Sequence, residues 1–259
     1  MSDTLTPPPA VGPSSAAAGE PSDGGGSFFQ NLADMYFAPR QAFARIVRKP
    51  AFILPLVGQL LLAFAFSGIW LNKMEPREFM KTQLEEQGRW EKLNPEQREA
   101  VLNSAPIQMK IFGWVGPAIG TPVVWLLTAT VLMFIYRFFF ASEVGFKQSL
   151  AIVAWCSFAV GLVTTPLMLL VFQLKGDWNL NPQDVLQANL GLLVDKASVA
   201  KPLWALLTSI DLFSFWTMFL LAAGFAVASR KTTGSALWGV AIPWAVLILI
   251  KVGWAAVMG

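Results

Sequence analysis

LWALLTSIDLFSFWTMFLLAAGFAVASRKTTGSALWGVAIPWAVLILIKVGWAAV, residues 203–257, is an apolar run of 26 residues (Leu203 to Ala228), a seven-residue connection (Ser229 to Ser235) and a second run of 22 residues (Ala236 to Val257). At about 1.5 Å of rise per residue, each run is long enough to cross a hydrocarbon core of about 30 Å as a helix. A connection this short makes the two helices antiparallel neighbours. The chain therefore reads as membrane-spanning and helical.

Three more runs of the same kind lie upstream, Phe52 to Leu71, Ile111 to Tyr136 and Leu150 to Gln173. The expected architecture is all-α: a polytopic membrane protein with five transmembrane helices and surface amphipathic helices. Composition agrees, since 55% of the 259 residues are hydrophobic and 14% charged, against about 25% charged in soluble domains. Pro55, Pro117, Pro122, Pro166 and Pro243 fall inside or at the ends of the spans. Membrane helices tolerate such prolines as kinks, so bent helices are predicted.

Residues 1–26 are rich in Pro, Ala, Gly and Ser, with too little apolar surface to offset ordering, and predict a disordered tail. It has neither the basic start nor the apolar stretch of a secretory signal. Residues 27–51 predict an amphipathic juxtamembrane helix region and 52–259 the membrane domain. Ser27 and Gln30 have capping-box spacing, and Pro39 either interrupts the helix that follows or starts a second one. Arg40, Arg45, Arg48 and Lys49 are interleaved with Phe43, Ile46 and Val47. That pattern fits an interfacial helix on an anionic leaflet or a plain positive anchor, and Arg40, Phe43, Arg45, Arg48 and Lys49 are the expected partner or lipid contacts.

Two loops carry helix starts: Asn94-Pro95-Glu96-Gln97, and Asn181-Pro182 with Asp184, continued by Val185, Leu186, Asn189, Leu190 and Leu193. Both predict helices lying on the membrane surface. Eight Lys and Arg sit in the short connections on the N-terminal side of the membrane, and ten are diluted over the long loops on the other. Density favours a cytoplasmic N-terminus and a C-terminus outside. The net charge of +3 is spent on flanking the spans, and no nucleic-acid partner is expected.

Histidine is absent and Cys156 is the single cysteine, which excludes Ser-His-Asp hydrolysis, His-ligated zinc, HExxH proteolysis and internal disulfides. Intramembrane aspartyl proteolysis needs a pair of aspartates, and the spans hold one. No catalytic, cofactor-binding or metal-binding residue is expected, and the protein is not read as an enzyme. Cys156, among Trp155 and Phe158, reads as an inert packed thiol. Gly176, Asp177, Trp178, Asn179 and Asn181 read as a capped turn in preference to a cation site. Glu143 and Lys147 read as a surface helix pair, and Trp70, Trp114, Trp178 and Trp204 as interface anchors. Gly116 and Gly120 form a GxxxG, which suits internal helix packing or a homo-oligomer.

Asp211 and Lys251 are the two charges well within the spans. In an antiparallel hairpin they fall at similar depth, so an intramembrane ion pair, structural or functional, is expected. The other reading has Lys251 reaching outward while Asp211 bonds Ser214 or Ser209.

FFQNLADMYFAPRQAFARIVRKP (28–50), FKQSLAIVAW (146–155), GDWNLNP (176–182) and DLFSFWTMFLLAAGFAVASR (211–230) occur in that order around five spans. In this the chain resembles bacterial members of the Yip (Rab-interacting) membrane-protein family from about Ser27 onward. The resemblance implies a five-span fold with a cytosolic N-terminal region. Its eukaryotic relatives act in vesicle trafficking and bind prenylated Rab GTPases, a role that does not carry over to a bacterium. The expected function is a non-enzymatic scaffold or membrane-organising protein of the bacterial cytoplasmic membrane, in contact with the lipid bilayer and with a protein partner at the N-terminal region. The alternative is a small transporter or channel using the Asp211/Lys251 pair.

Overall fold

A computed structural model describes residues 26–186, 188–195 and 198–257; the expected disordered tail, Gly26 apart, lies outside them. Ten α-helices and two short 3-10 turns make up these residues, with no strand among them. Five helices are long and apolar enough to cross a membrane: α3 (Ile53–Lys73), α5 (Pro95–Phe139), α6 (Phe146–Lys175), α9 (Leu212–Ser229) and α10 (Thr233–Val257).

Two helices precede the spans. In α1 (Phe28–Phe37) the Ser27 hydroxyl accepts from the Gln30 N–H at 3.1 Å, and Pro39 starts α2 (Pro39–Arg48) at its first position, where its missing N–H costs nothing. The apolar stripe of α2 does not lie in lipid. Ala42, Phe43 and Ile46 are buried in the main core with residues of α6 and α9, which corrects the interfacial reading.

The Asn94 start closes as a reciprocal capping box with Gln97, but the helix it opens does not lie on the surface. It runs through Pro106, Pro117 and Pro122 for 45 residues as α5, about 67 Å, so the predicted loop helix and second span are one rod. Its start projects beyond the bundle, where α4 (Pro76–Glu86) packs along it and Arg77 bonds Asn103 and Glu99.

The predicted span 203–228 is two helices, α8 (Lys201–Leu207) and α9. Thr208 and Ser209 turn their hydroxyls back onto the Trp204 and Ala205 carbonyls, and Asp211 caps α9 by accepting from the Ser214 N–H at 2.8 Å. Such side-chain bonds compete with helix continuation. The freed backbone is stitched to the loop after α6: the Leu190 N–H donates to Ile210 and the Leu212 N–H to Ala188. That loop holds a four-residue helix, α7 (Pro182–Val185), and a 3-10 turn, Leu190–Leu193, in place of the single amphipathic helix expected.

Candidate functional site

The proximal end of the bundle carries the α5–α6 and α9–α10 connections and the α1–α2 pair; the distal end carries α4, α8 and the loop after α6. The α1–α2 pair is held by shape. A Cβ at Gly224 of α9 would fall 2.6 Å from Ile152 and 3.0 Å from Phe43, so only glycine lets α2 seat there. Beside it, the Tyr36 hydroxyl donates to the Ala159 carbonyl of α6 at 2.8 Å, and Phe28 packs its ring on Trp155 and Phe158. Burial pushes the Tyr36 phenol above its ordinary value.

The five expected contact residues divide. Phe43 is fully buried and cannot touch a partner or lipid, and Arg45 turns inward to Asn31 and Asp34. Arg40 is exposed and reaches Thr233 beside the α9–α10 turn; Arg48 and Lys49 are exposed. With Arg137, Lys147, Arg230 and Lys231, also exposed, they make the proximal end a basic platform. Glu143 is the one exposed carboxylate there among the described residues; it lies in the loop before α6 and forms no recorded ion pair with Lys147.

At the distal end the predicted anchors Trp70 and Trp178 are packing residues. The Trp70 indole donates to the Trp178 carbonyl at 3.0 Å, and Trp178 stacks on Phe172 with the Lys73 ammonium over its ring. Gly176 takes the left-handed conformation that ends α6, with φ 67°. Asp177 caps the Asn179 N–H, and Asn179 ties the turn to Glu75 and Glu78 of the α4 region.

Asp211 and Lys251 line one cavity of about 440 Å³ between α9, α10, α6 and the distal loop. The expected direct ion pair does not form among the described residues. Lys251 Nζ donates to the Ser209 hydroxyl at 3.1 Å, while Asp211 Oδ2 accepts from the Ser214 N–H and hydroxyl at 2.8 and 2.9 Å. The reason is the break: Asp211 stands at a helix N-terminus, where backbone N–H groups compete for its carboxylate. Equal depth does hold. Each residue is 18 positions from its end of the α9–α10 turn, about 27 Å of rise.

A second cavity of about 240 Å³ shares Met168, Pro182 and Gln183 with the first and reaches Gln59 of α3. The Gln59 amide lies against Gly161 of α6, where a Cβ would come within 2.4 Å of Oε1. The sequence reading missed both cavities and the Gly224 seat. One signal was present: Thr208, Ser209, Asp211 and Ser214 form a capping cluster inside an otherwise apolar run.

A family model described as the Yip1 domain matches residues 33–255 of this chain. Neither the curated proteins nor the solved structures contain a match.

Proposed function

The chain belongs to the Yip1-domain family of integral membrane proteins, and from that premise we propose that it is a non-enzymatic, membrane-organising scaffold of a bacterial cytoplasmic membrane. Its proximal end faces the cytoplasm in this reading and binds an anionic protein partner. The observation that carries the reading is the basic platform. Arg40, Arg48, Arg137, Lys147, Arg230 and Lys231 come from four separate parts of the chain to one end, almost without carboxylates. Such a surface attracts anionic partners and leaflets alike. Docking of α1–α2 against α6 and α9 makes the platform a fixed surface instead of a loose anchor.

Photo-crosslinkers placed at Arg48 and Lys231 of the full chain in cells test this. The expected result is a discrete protein adduct from both positions and none from Leu193 at the distal end. Adducts to lipid alone at Arg48 and Lys231 would overturn the protein-partner reading. A transport reading is favoured by one observation, the cavity holding Asp211 and Lys251. Solute flux in proteoliposomes, abolished by Asp211→Asn with the fold intact, is its test.

A further inference from the structure

We propose that the distal cavity is a binding site for a zwitterionic phospholipid whose headgroup carries a primary ammonium and a phosphate, the phosphatidylethanolamine class. Asp211 uses Oδ2 for Ser214, and its Oδ1 has no hydrogen-bond partner among the described residues. Lys251 Nζ spends one of its three donors on Ser209. The cavity therefore offers one free carboxylate oxygen and two free ammonium donors. These complement a ligand with a cation bearing N–H groups and an anionic oxygen joined by a short link. A purely anionic headgroup would meet the Asp211 charge, and a quaternary ammonium has no N–H to give it.

Depth favours a lipid over a free solute. α6 has 30 residues, about 45 Å of rise, which matches a bilayer with its headgroup layers at about 40–45 Å. Met168, which lines the cavity, lies seven residues before the end of α6 at Lys175, about 10 Å from it. Met168 is thus near the border between hydrocarbon and headgroups, and Asp211 and Lys251, about 27 Å from the α9–α10 turn, lie on the hydrocarbon side of it. Polar Gln183, Asn189 and Thr208 line the cavity together with apolar Phe213, Trp244 and Leu247. Leu247 is 65% exposed on a spanning helix, so the cavity opens sideways, where acyl chains lie.

The test uses the full chain reconstituted with equal parts of phosphatidylethanolamine, phosphatidylcholine and phosphatidylglycerol, with retained lipid read by native mass spectrometry. The unmutated chain is expected to retain phosphatidylethanolamine about tenfold over the other two, the size of one charge-assisted hydrogen bond. Asp211→Asn should remove the preference while preserving the helix cap, because asparagine caps as well as aspartate. Lys251→Gln keeps a donor for Ser209 and should lower retention of all three lipids. Equal retention of the three headgroups by the unmutated chain would mean ordinary annular lipid and overturn the proposal, whatever the variants do. Displacement of the lipid by soluble phosphoethanolamine would overturn it in favour of a free-solute site.

Discussion

Gly224 and Gly120 are the same residue in two spanning helices, and their surroundings give them opposite predictions. A side chain at Gly224 enters the contact between Phe43 and Ile152, whereas one at Gly120, as at Gly116, meets nothing within 4 Å. The GxxxG thus has no partner helix among the described residues, contrary to internal packing. Gly224→Leu is expected to cost about 1–3 kcal/mol as an overpacked core and to release α1–α2, measured as a lower melting temperature in detergent with new protease cleavage in α2. Gly120→Leu should leave both unchanged. Tyr36 adds a pH dependence. Its folded-state pKa is raised above 10.0 by burial, so its contribution is present at neutral pH and is lost as pH rises through the folded value. Hydrogen exchange in α1 should therefore accelerate above that range. Tyr36→Phe should abolish this alkaline step and cost about 0.5–1.5 kcal/mol at neutral pH for the lost bond to Ala159.

The break between α8 and α9 decides how Asp211 and Lys251 act. Asp211→Ala removes the cap and is expected to cost about 1 kcal/mol, while Asp211→Asn should be close to neutral. Since the two charges bond different partners, Ser214 and Ser209, the Asp211→Ala and Lys251→Ala losses in lipid-depleted detergent should add to within about 0.5 kcal/mol. A double variant clearly milder than the sum, by thermal unfolding, would show a direct pair instead. The five spanning elements were legible because hydrophobic length is a property of each segment alone. The break was hidden because a mean over 26 residues outweighs four hydroxyl and carboxyl groups whose effect is local. The join of the loop helix to the second span was hidden by Pro106, a stop signal in water that is carried inside one helix here. The fate of Phe43 was not legible at all. An amphipathic stripe faces lipid or protein with the same periodicity, and only the tertiary partner, Gly224, separates the two.

For the molecule as a whole the distribution of charge predicts an orientation. The exposed cations of the proximal end come from short connections and from α2, with Glu143 as their one exposed acidic neighbour among the described residues. The distal loop from Lys73 to Lys110 instead mixes seven acidic with seven basic residues and neutralises itself in part through pairs such as Arg77 with Glu99 and Lys81 with Glu85. Retention of positive charge acts on short segments beside spans and little on long loops, so the proximal end should be cytoplasmic although the distal side holds more cations in total. Single cysteines at Glu143 and Ser235, in a Cys156→Ala background, are expected to resist a membrane-impermeant thiol reagent in intact cells and to react after lysis. Cysteines at Glu91 and Leu193 should react in intact cells. All four sites are at least partly exposed in the fold, so protection at any of them reports the membrane and not packing. The reverse pattern would invert the orientation and move the basic platform away from any cytoplasmic partner. It would leave the distal cavity at the same depth in the opposite leaflet.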